Sequence, residues 1–320
     1  MSNLLQTIST SERLFQTKNI VRWAMILSGI SLFFYMFFSG SMYGVERPLW
    51  YRIGTFFVQD IALIASGMVC FRNGFSNQMP SGKQVWLLIG VALFSFLIGN
   101  LFFGLWELLW HLNPVGSLGD PFFVIFYILL SLGMVIAIIN KQVKLKIYQW
   151  SIIAGITTYA AVMAMWIMTP PPTSANSTAS AVVAAAQLST SQASPIAEPA
   201  AETAPDAPEW VKSMDTVFKP HAAALNQFYV WSDVVLFGLA VAMILAFWDG
   251  RLSNAWQFNA QAIICFYVAD MWLAYATNHV SGYQSGFMLE VFWTFGAIQF
   301  GVAAAMEFEH MTVSEKDRYY

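Results

Sequence analysis

The chain alternates long apolar runs with short polar breaks, and the runs have the length of membrane spans. About 20 consecutive apolar residues are enough for a helix to cross the hydrocarbon core of a bilayer. Eight runs approach or reach that length: Ile20–Ser39, Gly54–Phe71, Val85–Leu109, Pro121–Ile139, Ile147–Met168, Phe228–Phe247, Gln257–Thr277 and Phe287–Met306. The pattern predicts an all-α integral membrane protein with eight transmembrane helices. Between the fifth and sixth runs, Thr169–Asn226 is dominated by Ala, Pro, Ser and Thr. Such a composition buries too little apolar surface to offset chain entropy, so a flexible extracytoplasmic linker is expected there. A short helix around Glu209–Val217 is expected to lie on the membrane surface. The chain thus divides into an N-terminal segment (1–19), a first membrane half of five spans (20–168), the linker (169–226), a second membrane half of three spans (227–308) and a tail (309–320).

The polar interruptions repeat. Asn100–Met134 and Ala269–Ala303 share one plan, with a polar anchor in the outgoing helix, a His past it (His111, His279) and an acid opening the returning helix. Asn100 and Asp120 are twenty positions apart, as are Asp270 and Glu290. The second and sixth spans also match. Each has an aromatic–Val pair, then an Asp (Asp60, Asp233), and leaves through Phe-x-x-Gly. These echoes predict two parallel four-helix repeats, the first formed by spans one to four, with both repeats in the same orientation.

Composition agrees with a membrane protein. Of 320 residues, 58% are hydrophobic and only 10% charged, against about 25% charged in soluble domains. No basic stripe appears, so nucleic acid is not an expected partner. Cys70 and Cys265 both lie inside apolar spans, where free Cys packs as a small hydrophobe. Lys and Arg are uneven across the breaks. One side holds Arg13, Lys18, Arg22, Arg72, Lys83, Lys141, Lys144, Lys146, Arg251, Lys316 and Arg318, and the other only Arg47, Arg52, Lys212 and Lys219. The positive-inside rule then places both termini in the cytoplasm. Trp50, Trp86, Trp106, Trp110, Trp150, Trp166, Trp248 and Trp256 fall near span ends, as in an aromatic belt.

Candidate chemistry lies in the intramembrane polar residues. An acid at the middle of a spanning helix costs roughly 2.5–3.5 kcal/mol on insertion scales, so its presence marks a functional candidate. Asp60, Asn100, Glu107, Asp120, Asp233, Asp270 and Glu290 all fall in the outer portions of their spans, with Tyr283 and Trp293 as neighbours that give shape. They predict an acidic, outward-facing ligand-binding cup above an apolar inner half. Asn100, Gly104, Glu107 and His111 are expected on one helical face. Glu107 and His111 also have ligand-pair spacing, but no motif specifies a metal, and the sequence identifies no cofactor. Nor does it contain a recognisable nucleophile or phosphate loop, so catalytic residues are not expected. An integral-membrane hydrolase, with Asp270 and Glu290 activating water, is the lesser reading.

Several of these residues resemble the multi-span membrane sensor regions that precede bacterial diguanylate cyclase (GGDEF), PAS and histidine-kinase output domains. They are Asp120-Pro-Phe-Phe with Tyr127, Leu130 and Gly133; Gly250-Arg-Leu-Ser253; Ala269-Asp270 with Tyr275; and Tyr283-Gln-Ser-Gly286 with Glu290 and Trp293. The resemblance covers about residues 89–140 and 227–308. It implies a bacterial inner-membrane module that senses a signal and passes it on. Tyr127-Ile128 stands where Tyr-Pro is common, and the Ala/Pro-rich loop departs from the pattern. An output domain is not expected after Tyr320, and signalling is expected to run through a membrane or cytoplasmic partner protein. The expected partners are therefore the lipid bilayer, that protein, and a small ligand or cation. A membrane-complex assembly or scaffold protein is the alternative function, and a small transporter the second alternative.

Overall fold

The computed structural model describes residues 16–40, 47–76, 79–141, 145–169, 207–248, 253–280 and 283–316. It contains eight helices long and apolar enough to cross a membrane and, among the described residues, no strand. They are α1 (Thr17–Phe38), α2 (Leu49–Gly74), α3 (Lys83–Gly104), α4 (Asp120–Lys141), α5 (Ile147–Met168), α7 (Ala222–Ala246), α8 (Ser253–His279) and α9 (Val291–Lys316); α6 (Glu209–Phe218) is a short helix before α7. Helix α7 begins ahead of the expected Phe228, because a 3₁₀ turn, Lys219–His221, joins it to α6. Most of the Ala/Pro-rich stretch, and Gly250–Leu252 of the Gly-Arg-Leu-Ser motif, lie outside the described residues.

Helix α2 packs on α3, and α3 on α4; likewise α7 packs on α8, and α8 on α9. The two groups close on each other through α9 against α2 and α4 against α7. Helices α1 and α5 are peripheral. Only Ser31 and Tyr35 of α1 are buried, and only Ala160, Ala164 and Ile167 of α5. Ile20, Val21, Ala24 and Leu27 of α1 and Ala161 and Met168 of α5 pack against the bundle, while residues such as Trp23, Phe33, Phe37, Tyr159 and Trp166 are exposed. At the centre, Phe96 meets Phe126 and Phe266 edge-on, with ring centroids 4.9 and 5.1 Å apart.

Tryptophan placement departs from the sequence pattern. Trp50, Trp150, Trp166 and Trp248 are exposed, as an aromatic belt requires, but Trp86, Trp106 and Trp256 are fully buried. Nearness to a span end fixes a residue's depth and leaves its helix face open. Trp106 stacks edge-on with Trp110 and Trp210, so α6 docks over the end of α3. Val211 is buried in that contact.

The α3–α4 and α8–α9 connections share one end of the bundle, the hairpin end. There α3 and α4 approach so closely that a Cβ on Gly119 would meet the carbonyl oxygen of Gly99 at 2.8 Å. Backbone cannot yield as a side chain can. Gly119→Ala is therefore expected to destabilise the protein by about 2 kcal/mol, read as a lower melting temperature in detergent or nanodiscs. An unchanged melting temperature contradicts this packing.

The opposite end is tied by polar contacts. Ser81 N–H donates to Glu307 (2.9 Å), Asn140 Nδ2 to the Ser81 carbonyl (2.9 Å) and Asn73 Nδ2 to the Ala304 carbonyl (2.7 Å). Glu307 is fully buried. It follows the expected span end at Met306, but α9 continues to Lys316 and carries it into the bundle. The half of the bundle opposite the hairpin end is consequently not purely apolar, contrary to the expectation from the sequence pattern.

Candidate functional site

A cavity of about 90 Å³ lies among the helices at the hairpin end. Asn100 from α3, Asp120 from α4, Asp233 from α7, Asp270 from α8, and Glu290 and Trp293 at the start of α9 all line it. Six of the nine residues singled out from the sequence thus share one space. Asp60, Glu107 and Tyr283 stand behind the wall. Asp60 accepts a hydrogen bond from Asn100 Nδ2 (2.7 Å). Tyr283 donates to Glu290.

Glu107 has a different task. It pairs with Arg52 of α2 at 2.5 Å, both side chains being nearly buried. It also accepts from Ser285 N–H (2.9 Å) and Ser285 Oγ (2.6 Å). The α-helix gives way to a π turn at Leu105–Leu109, closed by Trp110 N–H on the Leu105 carbonyl. The extra residue per turn breaks the expected spacing. His111 lies beyond the helix with φ of 52°, so Asn100, Gly104, Glu107 and His111 do not share one face. The Glu107–His111 ligand spacing dissolves with it. Among the described residues, no three His, Cys, Asp or Glu side chains are grouped as metal ligands would be.

The two acids that open returning helices are held alike. Asp120 accepts Ser117 N–H (2.5 Å) and Tyr229 OH (2.6 Å). Glu290, in a 3₁₀ turn at Met288–Glu290, accepts Gly286 N–H (2.7 Å), Phe287 N–H (3.2 Å) and Tyr283 OH. A carboxylate at a helix start satisfies backbone donors that have no intrahelical partner. Tyr283 lies in the connection before α9. Burial, then the neighbouring Glu290, pushes its phenol well above the usual range, so it remains protonated and donates.

Asp233 and Asp270 meet across Tyr127 of α4. Tyr127 Oη is 3.0 Å from Asp233 Oδ1 and 3.2 Å from Asp270 Oδ2. The phenol has one hydrogen and can donate to only one of them. The other contact closes when that carboxyl carries a proton and donates to the phenol oxygen. Asp270 Oδ1 accepts from Trp293 Nε1 at 2.8 Å. Asp233 Oδ2 is buried with no partner among the described residues. No Lys, Arg or His among them lines the cavity. Two cations at this end are committed elsewhere: Arg52 to Glu107, and Arg47 to the carbonyls of Ser39 and Gln284.

Tyr127 and Tyr229 are not among the site residues that the acidic pattern marks. A signal for them exists. Tyr127 follows Asp120 by seven positions and Tyr229 precedes Asp233 by four, spacings that put each pair on one helical face. Across the bundle centre, Phe96, Phe126 and Phe266 form a buried aromatic layer.

Comparison with protein-family models, with curated proteins and with solved structures finds no match for this chain.

Proposed function

We propose that this polytopic membrane protein is a sensory, ligand-binding module whose acidic cup receives a small ligand and whose response passes to a separate partner protein. The observation that carries the proposal is Asp233 Oδ2, a buried carboxyl oxygen without a hydrogen-bond donor among the described residues, in a cavity that no described basic residue lines. Desolvating such a group is costly unless something completes its hydrogen bonds. A ligand that binds one packing of the α2–α4 and α7–α9 groups better than another shifts the balance between them. In this proposal the chain sits in a bacterial inner membrane with both termini cytoplasmic and the hairpin end outside. It also derives the two groups from a duplication. The matching pairs Asp60–Asn100 and Asp233–Asp270, and the equivalent settings of Asp120 and Glu290, support that origin.

The lining hydroxyls of Thr55, Thr277 and Ser285 donate to the Arg52 carbonyl, the Leu273 carbonyl and the Arg52-paired Glu107, so none is paired with a free base as an activated nucleophile is, which weighs against a nucleophilic hydrolase. No helix break lies mid-span among the described residues, whereas transporters commonly interrupt spans near the midplane. The assembly or scaffold reading draws on the exposed aromatic residues of the peripheral helices, such as Trp150, Tyr159 and Trp166 of α5.

The two readings separate in one experiment. Affinity capture of the full chain from native membranes, followed by quantitative mass spectrometry, identifies the partner. Asp270→Asn is then expected to leave that partner bound while abolishing its stimulus-dependent change in output. A partner whose output is indifferent to Asp270→Asn, in a variant that folds, overturns sensing and favours assembly.

A further inference from the structure

Resting on the ligand-binding reading of the cup, we infer that its ligand is a small alkylammonium ion bearing at least one N–H. Two independent features of the cavity converge on this class. The first is Asp233, only 2% exposed, whose carboxyl meets Tyr127 and Asp270 but whose Oδ2 has no hydrogen-bond donor among the described residues. Once Asp233 is ionised, which a bound cation favours, that oxygen is an acceptor completed by an N–H brought by the ligand. The second is the wall, to which Phe56, Phe96, Phe103, Phe123, Tyr229 and Trp293 contribute aromatic rings. Ring faces attract a cation most strongly when it is desolvated, and alkylated ammonium ions are the ligands such walls recognise.

An inorganic cation fits less well. Ca²⁺ and Mg²⁺ take six or more oxygens, or retain waters. Here most of the nearby oxygens already accept hydrogen bonds from Tyr127, Tyr229, Trp293 or backbone N–H groups. Size points the same way. At about 90 Å³ the cavity is well below the roughly 300–1,000 Å³ of drug-sized sites. An ion of one to a few carbons per nitrogen suits it. Charge balance agrees, since four carboxyl groups face the space and no described basic side chain does.

The test is calorimetric titration of the full chain in nanodiscs at constant ionic strength. The probes are methylammonium, trimethylammonium and tetramethylammonium chlorides, with tert-butanol as a neutral molecule of similar shape. Methylammonium and trimethylammonium are expected to saturate, and trimethylammonium to bind at least tenfold more tightly than tert-butanol. Tetramethylammonium, which has no N–H, is expected to bind more weakly than trimethylammonium. Asp233→Asn should weaken trimethylammonium at least tenfold. Phe103→Leu, a change confined to the wall, should weaken it roughly fivefold through the lost ring face, and it tests the inference should Asp233→Asn fail to fold. Equal binding of tert-butanol, or no saturation by any ammonium ion, overturns the ligand class. So does unchanged affinity in a folded Asp233→Asn variant or in Phe103→Leu. Those results leave the partner-response test of Asp270→Asn untouched, so the two proposals fail separately.

Discussion

Replacing Arg52 with Met is expected to cost the protein about 3–4 kcal/mol of stability, more than the loss expected for Gly119→Ala. Arg52 and Glu107 form a nearly buried pair. Removing the guanidinium leaves the Glu107 carboxylate in a low-dielectric setting with only Ser285 to satisfy it. The pair also connects three parts of the fold: α2, the π turn that ends α3, and the α8–α9 connection. Replacing both partners, as in Arg52→Met with Glu107→Met, should recover much of the loss. The buried charge is then gone, and an apolar pair of similar volume is often neutral. Thermal unfolding in nanodiscs across this double-mutant cycle provides the measurement. A single Arg52→Met variant within about 1 kcal/mol of the parent, the range of a weak interhelical polar contact, would falsify the anchoring role.

Glu290→Ala is expected to be nearly as damaging, at about 3 kcal/mol, because three donors lose their acceptor at once. Gly286 N–H and Phe287 N–H are buried, and Tyr283 aims its hydroxyl at the same carboxylate. The backbone there has little latitude. Gly286 has φ of 106°, and its carbonyl accepts from Tyr51 OH at 2.7 Å. Glu290→Gln keeps one carbonyl oxygen as acceptor and should lose distinctly less. Hydrogen exchange offers a local readout. In Glu290→Ala the amides of Gly286 and Phe287 should exchange much faster than those of mid-α9, while in Glu290→Gln the gap narrows. Uniform acceleration along the whole of α9 would argue against a local capping role.

Both substitutions concern the sequence-marked ligand contacts or their partners, and the structure separates their roles. Glu107 is held by Arg52 and Ser285 outside the cavity wall, so its charge is already balanced. Glu290 reaches the wall but carries a structural load as well. Asp233 differs from both in having one oxygen without a hydrogen-bond donor among the described residues. Acid content and depth alone could not rank these residues. Their partners come from helices distant in sequence: Arg52 lies on α2, Tyr127 on α4 and Trp293 on α9.

The sequence by itself determined the eight spans, because apolar run length reports directly on the thickness a helix must cross. Helix limits such as Ile147–Met168 agree with it to the residue. It also determined which end of the bundle gathers the acids, since depth along a span follows from position in the run. Tertiary structure alone decided which face each residue turns. That choice buried Trp86 and Trp256 instead of leaving them in a lipid belt, and it drew Glu307 into the core. It also decided that Asp233 and Asp270 meet at one tyrosine while Glu107 is neutralised elsewhere. The physical reason is that periodicity in a nearly all-apolar helix is weak. Where every face is apolar, only packing against specific neighbours selects the buried one.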